Sequence, residues 1–112
     1  MKEQLLAFLF YQREELKKEH IYMYLRLMAS GKLYVGFEYH YPYITFDGKP
    51  KKGREKRCNL NVSFDELTPK KYENFMKTYE RILGEVRESQ KKSKDEFKMV
   101  EFSFQAVMQD FE

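Results

Sequence analysis

The chain has no tryptophan, one cysteine, three prolines, five glycines and two histidines in 112 residues, and each shortage removes a class of protein. With Cys58 alone there is no internal disulfide, so stability has to come from a packed core, and a reducing, cytoplasmic setting is expected. His20 and His40 stand far apart, with no His-x-x-x-His and no Cys-x-x-Cys; no metal site and no other cofactor is expected. The few glycines form neither a phosphate-cradling loop nor a Gly-x-Ser-x-Gly elbow, which leaves no catalytic motif to build an enzyme on. The longest apolar run, Leu5 to Tyr11, is far below the roughly 20 residues needed to cross a bilayer. Nor does the opening show a charged stretch, a long apolar stretch and a small-residue cleavage site in succession. A soluble protein without a membrane partner is expected.

What is present is a foldable core. Hydrophobic residues make up 42% and aromatics 17%, with ten Phe and nine Tyr, and this length suits one two-layer domain spanning residues 1–112. Leu5, Leu9 and Leu16 share one helical face with Leu6 beside them, which predicts an amphipathic helix over about residues 2–18. From Ile21 the period becomes two. Ile21, Met23, Leu25, Leu27 and Ala29 alternate with Tyr22, Tyr24, Arg26 and Met28, a strand with one core face. Ser30-Gly31-Lys32 reads as a hairpin link, and the returning strand puts Leu33, Val35, Phe37, Tyr39 and Tyr41 on one side until Pro42 removes a ladder donor. A third strand sets Cys58, Leu60, Val62 and Phe64 inward against Arg57, Asn59, Asn61 and Ser63 outward. Thr68-Pro69 is a helix start, and Tyr72, Phe75, Met76, Tyr79, Ile82, Leu83 and Val86 form the stripe of a long helix running to about Lys92. Alternation of Val100, Phe102, Phe104, Ala106 and Met108 with polar neighbours then predicts a closing strand. The expected fold is α+β: a four-stranded antiparallel sheet with two helices on one face, in the order α-β-β-β-α-β.

Charge is concentrated in one place. Lys49, Lys51, Lys52, Arg54, Lys56 and Arg57 stand against the lone Glu55 in Lys49–Arg57, a net +5 where the whole chain carries +3, so the remainder is slightly acidic. With Asp47-Gly48, Pro50 and Gly53 supplying turn chemistry, these cations are expected on a projecting hairpin loop able to reach phosphates or an acidic partner. Tyr22, Tyr24 and Tyr34 occupy the non-core positions of the first hairpin, where exposed rings can stack on bases or contact a protein. Glu38 and His40 share a strand face, an acid-base pair in outline only. Cys58 falls among core positions.

Two readings follow. The first is a small non-catalytic protein that binds another macromolecule and blocks or regulates it, in the manner of inhibitor, immunity or phage counter-defence proteins. The alternative is a nucleic-acid-binding protein acting through the basic loop of residues 49–57. The helix, three strands and helix share their layout with double-stranded RNA-binding domains, and Lys70-Lys71 opens the second helix as lysines do there. The chain departs from that family at Ser30-Gly31-Lys32, which has no Gly-Pro-x-His, and at Tyr72, Phe75 and Met76, where that family has small residues. An open edge on the second or the last strand would permit a homodimer.

Overall fold

In a computed structural model the described residues are 1–45 and 47–110, with Ile44, residues 56–59 and residues 96–110 described by backbone alone. The chain runs α1 (Lys2–Lys17), β1 (Ile21–Leu27), β2 (Lys32–Ile44), β3 (Pro50–Ser63) and α2 (Pro69–Asp110). The strands form an antiparallel sheet in the order β1-β2-β3. The α+β class and the first helix are as expected, and the starts of β1 and α2 fall where the sequence placed them. Thr68 accepts a hydrogen bond from the Lys71 amide through Oγ1 at 3.2 Å, capping α2 ahead of Pro69.

The expected fourth strand is not there. Residues 100–108 continue α2, a helix of 42 residues, about 63 Å long at 1.5 Å per residue in a molecule whose long dimension is 66 Å. Two physical reasons explain the misreading. Phe97, Val100, Phe104 and Val107 also fit helical spacing, and a short apolar run does not distinguish the two periods. Ser93-Lys94-Asp95 contains no Gly or Pro to stop a helix, and the Ser93 hydroxyl is satisfied within the helix, donating to the Ser89 carbonyl at 3.0 Å.

Both helices bury their stripes in one core. Leu5, Leu9 and Leu16 of α1 and Phe75, Tyr79, Ile82, Leu83 and Val86 of α2 cluster with the odd-numbered residues of β1 and β2, Ile21 to Met23 and Leu33 to Tyr39. Tyr79 is the meeting point. Its ring packs edge-on to Phe8 of α1 at 5.2 Å and against Phe37 of β2 at 5.6 Å, while its hydroxyl donates to Gln12 Oε1 at 3.2 Å. Burial pushes that hydroxyl well above the ordinary tyrosine range. Farther along, Arg87 donates to both Glu19 carboxylate oxygens at 2.9 and 2.8 Å, and the buried Gln90 amide donates to the Glu19 carbonyl at 2.9 Å. α2 is thereby tied to the turn between α1 and β1. The hydrogen bond from Arg87 holds the Glu19 carboxyl below its ordinary value.

The β1–β2 register is unbroken from Ile21↔Tyr39 to Leu27↔Leu33. Gly31 in the intervening link has φ +85°, a backbone conformation that favours glycine, and a Cβ there would also displace the Asp65 carboxylate. β2 and β3 change register between Val35↔Leu60 and Phe37↔Arg57, so two steps of β2 face three of β3. This bulge reverses which parity of β3 faces the helices.

Removing the Tyr79 ring should be far costlier than removing its hydroxyl. Tyr79→Ala is expected to lose about 3–5 kcal/mol and Tyr79→Phe about 1 kcal/mol, measured by urea denaturation. Glu19 contributes stability above the ordinary carboxylate value of 4.5 that is lost as pH falls through its depressed folded value. Because the pair is half-exposed, Glu19→Gln should cost at most about 1 kcal/mol at neutral pH. Denaturation at a series of pH values should show that difference closing in acid.

Candidate functional site

The basic segment is a strand, which corrects the expected projecting loop. β3 begins at Pro50 and pairs with β2 from Ile44↔Pro50 onward, with a turn closed by Thr45 and Lys49 before it. Thr45 closes that turn: its amide donates to the Lys49 carbonyl at 2.9 Å, its Oγ1 accepts from the Lys49 amide at 3.1 Å, and its hydroxyl donates to Asp47. Lys49 stands beside Asp47 at 3.8 Å. A continuous cross-strand ladder explains the result. Tyr39, Tyr41 and Tyr43 follow one another along β2 with tilted rings whose successive centroids are 6.2 Å apart, favourable partners for a strand opposite. Tyr39 donates to Glu55 at 2.6 Å, and the Tyr41 ring lies over Gly53, where a Cβ would collide with it.

The bulge decides where the cations go. Beyond it, Arg54 pairs with His40 and Lys52 with Pro42, the even-numbered positions on the face away from the helices. Had the alternation of Leu60 and Val62 continued, Lys52 and Arg54 would have been directed toward α2. Lys51, opposite Tyr43, lies on the helix side of the ribbon. Lys51, Lys52 and Arg54 are exposed and have no acidic partner among the described residues. Lys56 pairs with Glu38 and Arg57 with Phe37 in the backbone register; their side chains, and the core position read for Cys58, lie outside the described ones.

Tyr22, Tyr24 and Tyr34 occupy the same outer face, as the alternation predicts. Tyr24 and Tyr34 are 41% and 37% exposed. Tyr22 packs on the His40 ring at 5.1 Å, and Tyr24 donates its hydroxyl to Glu38. Glu38 and His40 therefore each engage a tyrosine, and the acid-base pair suggested by their spacing has no bond between them. Arg26 pairs with Tyr34 in the ladder. The result is an open sheet face on which four rings alternate with Arg26, Lys52 and Arg54, with Glu38 as its carboxylate among the described residues.

Two residues that carried no signal in sequence join this surface. β1 stops at Ile21, one pair short of His40, and α2 runs past the gap. A notch of about 140 Å³ forms there, lined by His20, His40, Pro42, Lys52, Gln90 and Lys94. His20 reaches it because it turns the chain between α1 and β1 with φ +60°. No spacing rule connects residues 20, 40, 52 and 94; only the packing of α2 along β2 does. Among the described residues no group of His, Cys, Asp and Glu is arranged to hold a metal ion, and no helix is long and apolar enough to cross a membrane.

Gly53→Val should drive the Tyr41 ring off the strand and cost about 1–3 kcal/mol. The Tyr41 ring resonances in NMR spectra are expected to move toward free-tyrosine values, with no comparable change at Tyr79.

No protein-family model matches the chain, and neither a curated protein nor a solved structure is found similar to it. The order shared with double-stranded RNA-binding domains is thus a likeness of layout and carries no function.

Proposed function

We propose that this is a non-catalytic macromolecule-binding protein whose open sheet face takes single-stranded nucleic acid, in a cytoplasmic setting. The observation that carries this reading is the placement of Tyr22, Tyr24, Tyr34 and His40 on the same face as Lys52 and Arg54. Rings offer stacking to unpaired bases regardless of sequence, and the neighbouring cations follow the phosphates. A ribbon with a paired backbone holds those cations at a fixed spacing, which a loose loop would not, so less side-chain and backbone freedom is lost on binding. Lys94 at the notch extends the positive path onto α2. Attraction comes from the basic strand, and the choice of unpaired bases over a duplex comes from the tyrosines.

A protein partner is the second reading. Tyrosine and arginine, both exposed on this face, are enriched at protein contacts, and an acidic surface would be steered by the same cations. An inhibitor or immunity role belongs to this reading.

Fluorescence anisotropy with a labelled single-stranded oligonucleotide separates them. Three phosphate contacts predict a log–log salt dependence of about −2, and Lys52→Glu with Arg54→Glu should abolish binding at low salt. Tyr34→Ala should weaken it by about 1–3 kcal/mol if one base stacks there. Retained affinity in the charge-reversed chain would sink the nucleic-acid reading. A polypeptide that co-purifies through nuclease treatment and is released by moderate salt would select the protein reading instead.

A further inference from the structure

The two edges of the sheet are built in opposite ways. β3 carries Pro50, Lys51, Lys52, Arg54 and a bulge, the devices that keep an edge from pairing with another strand. The β2 edge expected from the sequence does not exist, since β2 is the central strand. β1 is the other edge, and in Ile-Tyr-Met-Tyr-Leu-Arg-Leu it has none of those devices beyond a single charge, Arg26. Beside it lies an apolar groove of about 460 Å³ between β1 and the outer flank of α1, lined by Leu6, Phe10, Arg13, Tyr24, Leu25 and Leu27 among others. Leu27 is 58% and Phe10 51% exposed.

Backbone geometry says how another strand would meet this edge. The Met28 amide donates to the Lys32 carbonyl at 2.8 Å, and hydrogen-bonded pairs alternate in an antiparallel ladder. Tyr22, Tyr24 and Arg26 therefore bond inward to β2, and the amides and carbonyls of Ile21, Met23, Leu25 and Leu27 point to the open edge. We propose that the occupant is β1 of a second copy of this chain, paired antiparallel about a two-fold axis at Tyr24, which joins two sheets into one of six strands.

The register is self-complementary at every position. Ile21 meets Leu27 of the other copy and Met23 meets Leu25, all odd-numbered, all with edge-facing hydrogen-bonding groups, and all on the core side. Tyr22 meets Arg26 of the other copy, a cation against a ring rather than against a like charge. The helices agree with the strands. Phe10 lines the groove together with Tyr24, so the same axis sets Phe10 against Phe10. Glu3, Leu6, Phe10, Arg13 and Lys17 follow one flank of α1 at 3,4 spacing, and an antiparallel crossing at Phe10 brings Glu3 opposite Lys17 of the second copy. A one-residue shift in register would place core-side residues against outer-face residues. This interface is isologous and is made by the β1 edge and α1, whereas the nucleic-acid reading is tested at Lys52, Arg54 and Tyr34 away from that edge, so the failure of one is distinguishable from the failure of the other.

Light scattering on the full chain at high micromolar concentration should give the mass of two chains, and Phe10→Glu with Leu27→Lys should give that of one, with an unchanged helical circular dichroism spectrum. A non-hydrogen-bonded pair at the axis sets Cα atoms about 4.5 Å apart, within reach of a disulfide. In a Cys58→Ser background, Tyr24→Cys should therefore crosslink when oxidised glutathione accepts the two thiol electrons and protons, whereas Asn61→Cys on β3 should not. A wild-type chain that stays monomeric overturns the proposal, including one that instead captures an extended apolar peptide at this edge. So does a dimer that survives the double substitution, or one that crosslinks through Asn61→Cys and not through Tyr24→Cys.

Discussion

The fold hangs on the contact between the Tyr79 ring and Phe37. β2 is the strand that pairs on both sides, Phe37 is fully buried at its middle, and Tyr79 lays α2 across it while touching Phe8 and Gln12 of α1. One side chain therefore fixes the position of both helices over the central strand. Hydrophobic burial supplies most of the energy there, and the hydroxyl's bond to Gln12 removes the penalty of an unpaired polar group. The Arg87–Glu19 pair and Gln90 then set how closely α2 follows the start of β1.

That packing has a consequence on the far face. With both helices on one side, the outer face of a three-stranded sheet stays uncovered, and antiparallel sheets tolerate this when the exposed side is polar. Here it is aromatic and cationic instead. The bulge between Val35 and Phe37 is what turns Lys52 and Arg54 outward, so a local irregularity of one residue determines whether the basic strand and the tyrosines can act together. The ladder of Tyr39, Tyr41 and Tyr43 over Glu55, Gly53 and Lys51 keeps the ribbon paired as far as the turn, and this holds Lys52 and Arg54 at set positions on the outer face instead of on a flexible tether.

The sheet edges divide the remaining work. A cationic, bulged, proline-started β3 carries the features that keep an edge from pairing with another strand, and in the proposed function its cations meet the phosphates. An apolar β1 beneath an exposed Phe10 is suited to another strand. These opposite characters follow from composition, yet neither has meaning until the strand order puts both at the edges and β2 between them.

Much of this was legible in the chain. Period-two alternation located β1 and the first part of β2, Thr68-Pro69 located the start of α2, and the stripe from Tyr72 to Val86 identified its buried face, because each depends on neighbours a few residues apart. Tyr22, Tyr24 and Tyr34 could be assigned to the outer face for the same reason. Turn chemistry misled at Asp47-Gly48, Pro50 and Gly53, where cross-strand pairing with Tyr39 to Ile44 outweighed local preference, and alternation misled at residues 100–108, where an uninterrupted helix was already propagating. The sequence by itself determined the class of fold, the core side chains of α1, β1, the first part of β2 and α2 as far as Val86, and the inventory of cations and rings. Tertiary structure alone decided which face the cations occupy, that His20, His40, Lys52 and Lys94 meet, and which strands are edges. Register and strand order arise from contacts between residues distant along the chain, and no local pattern encodes them.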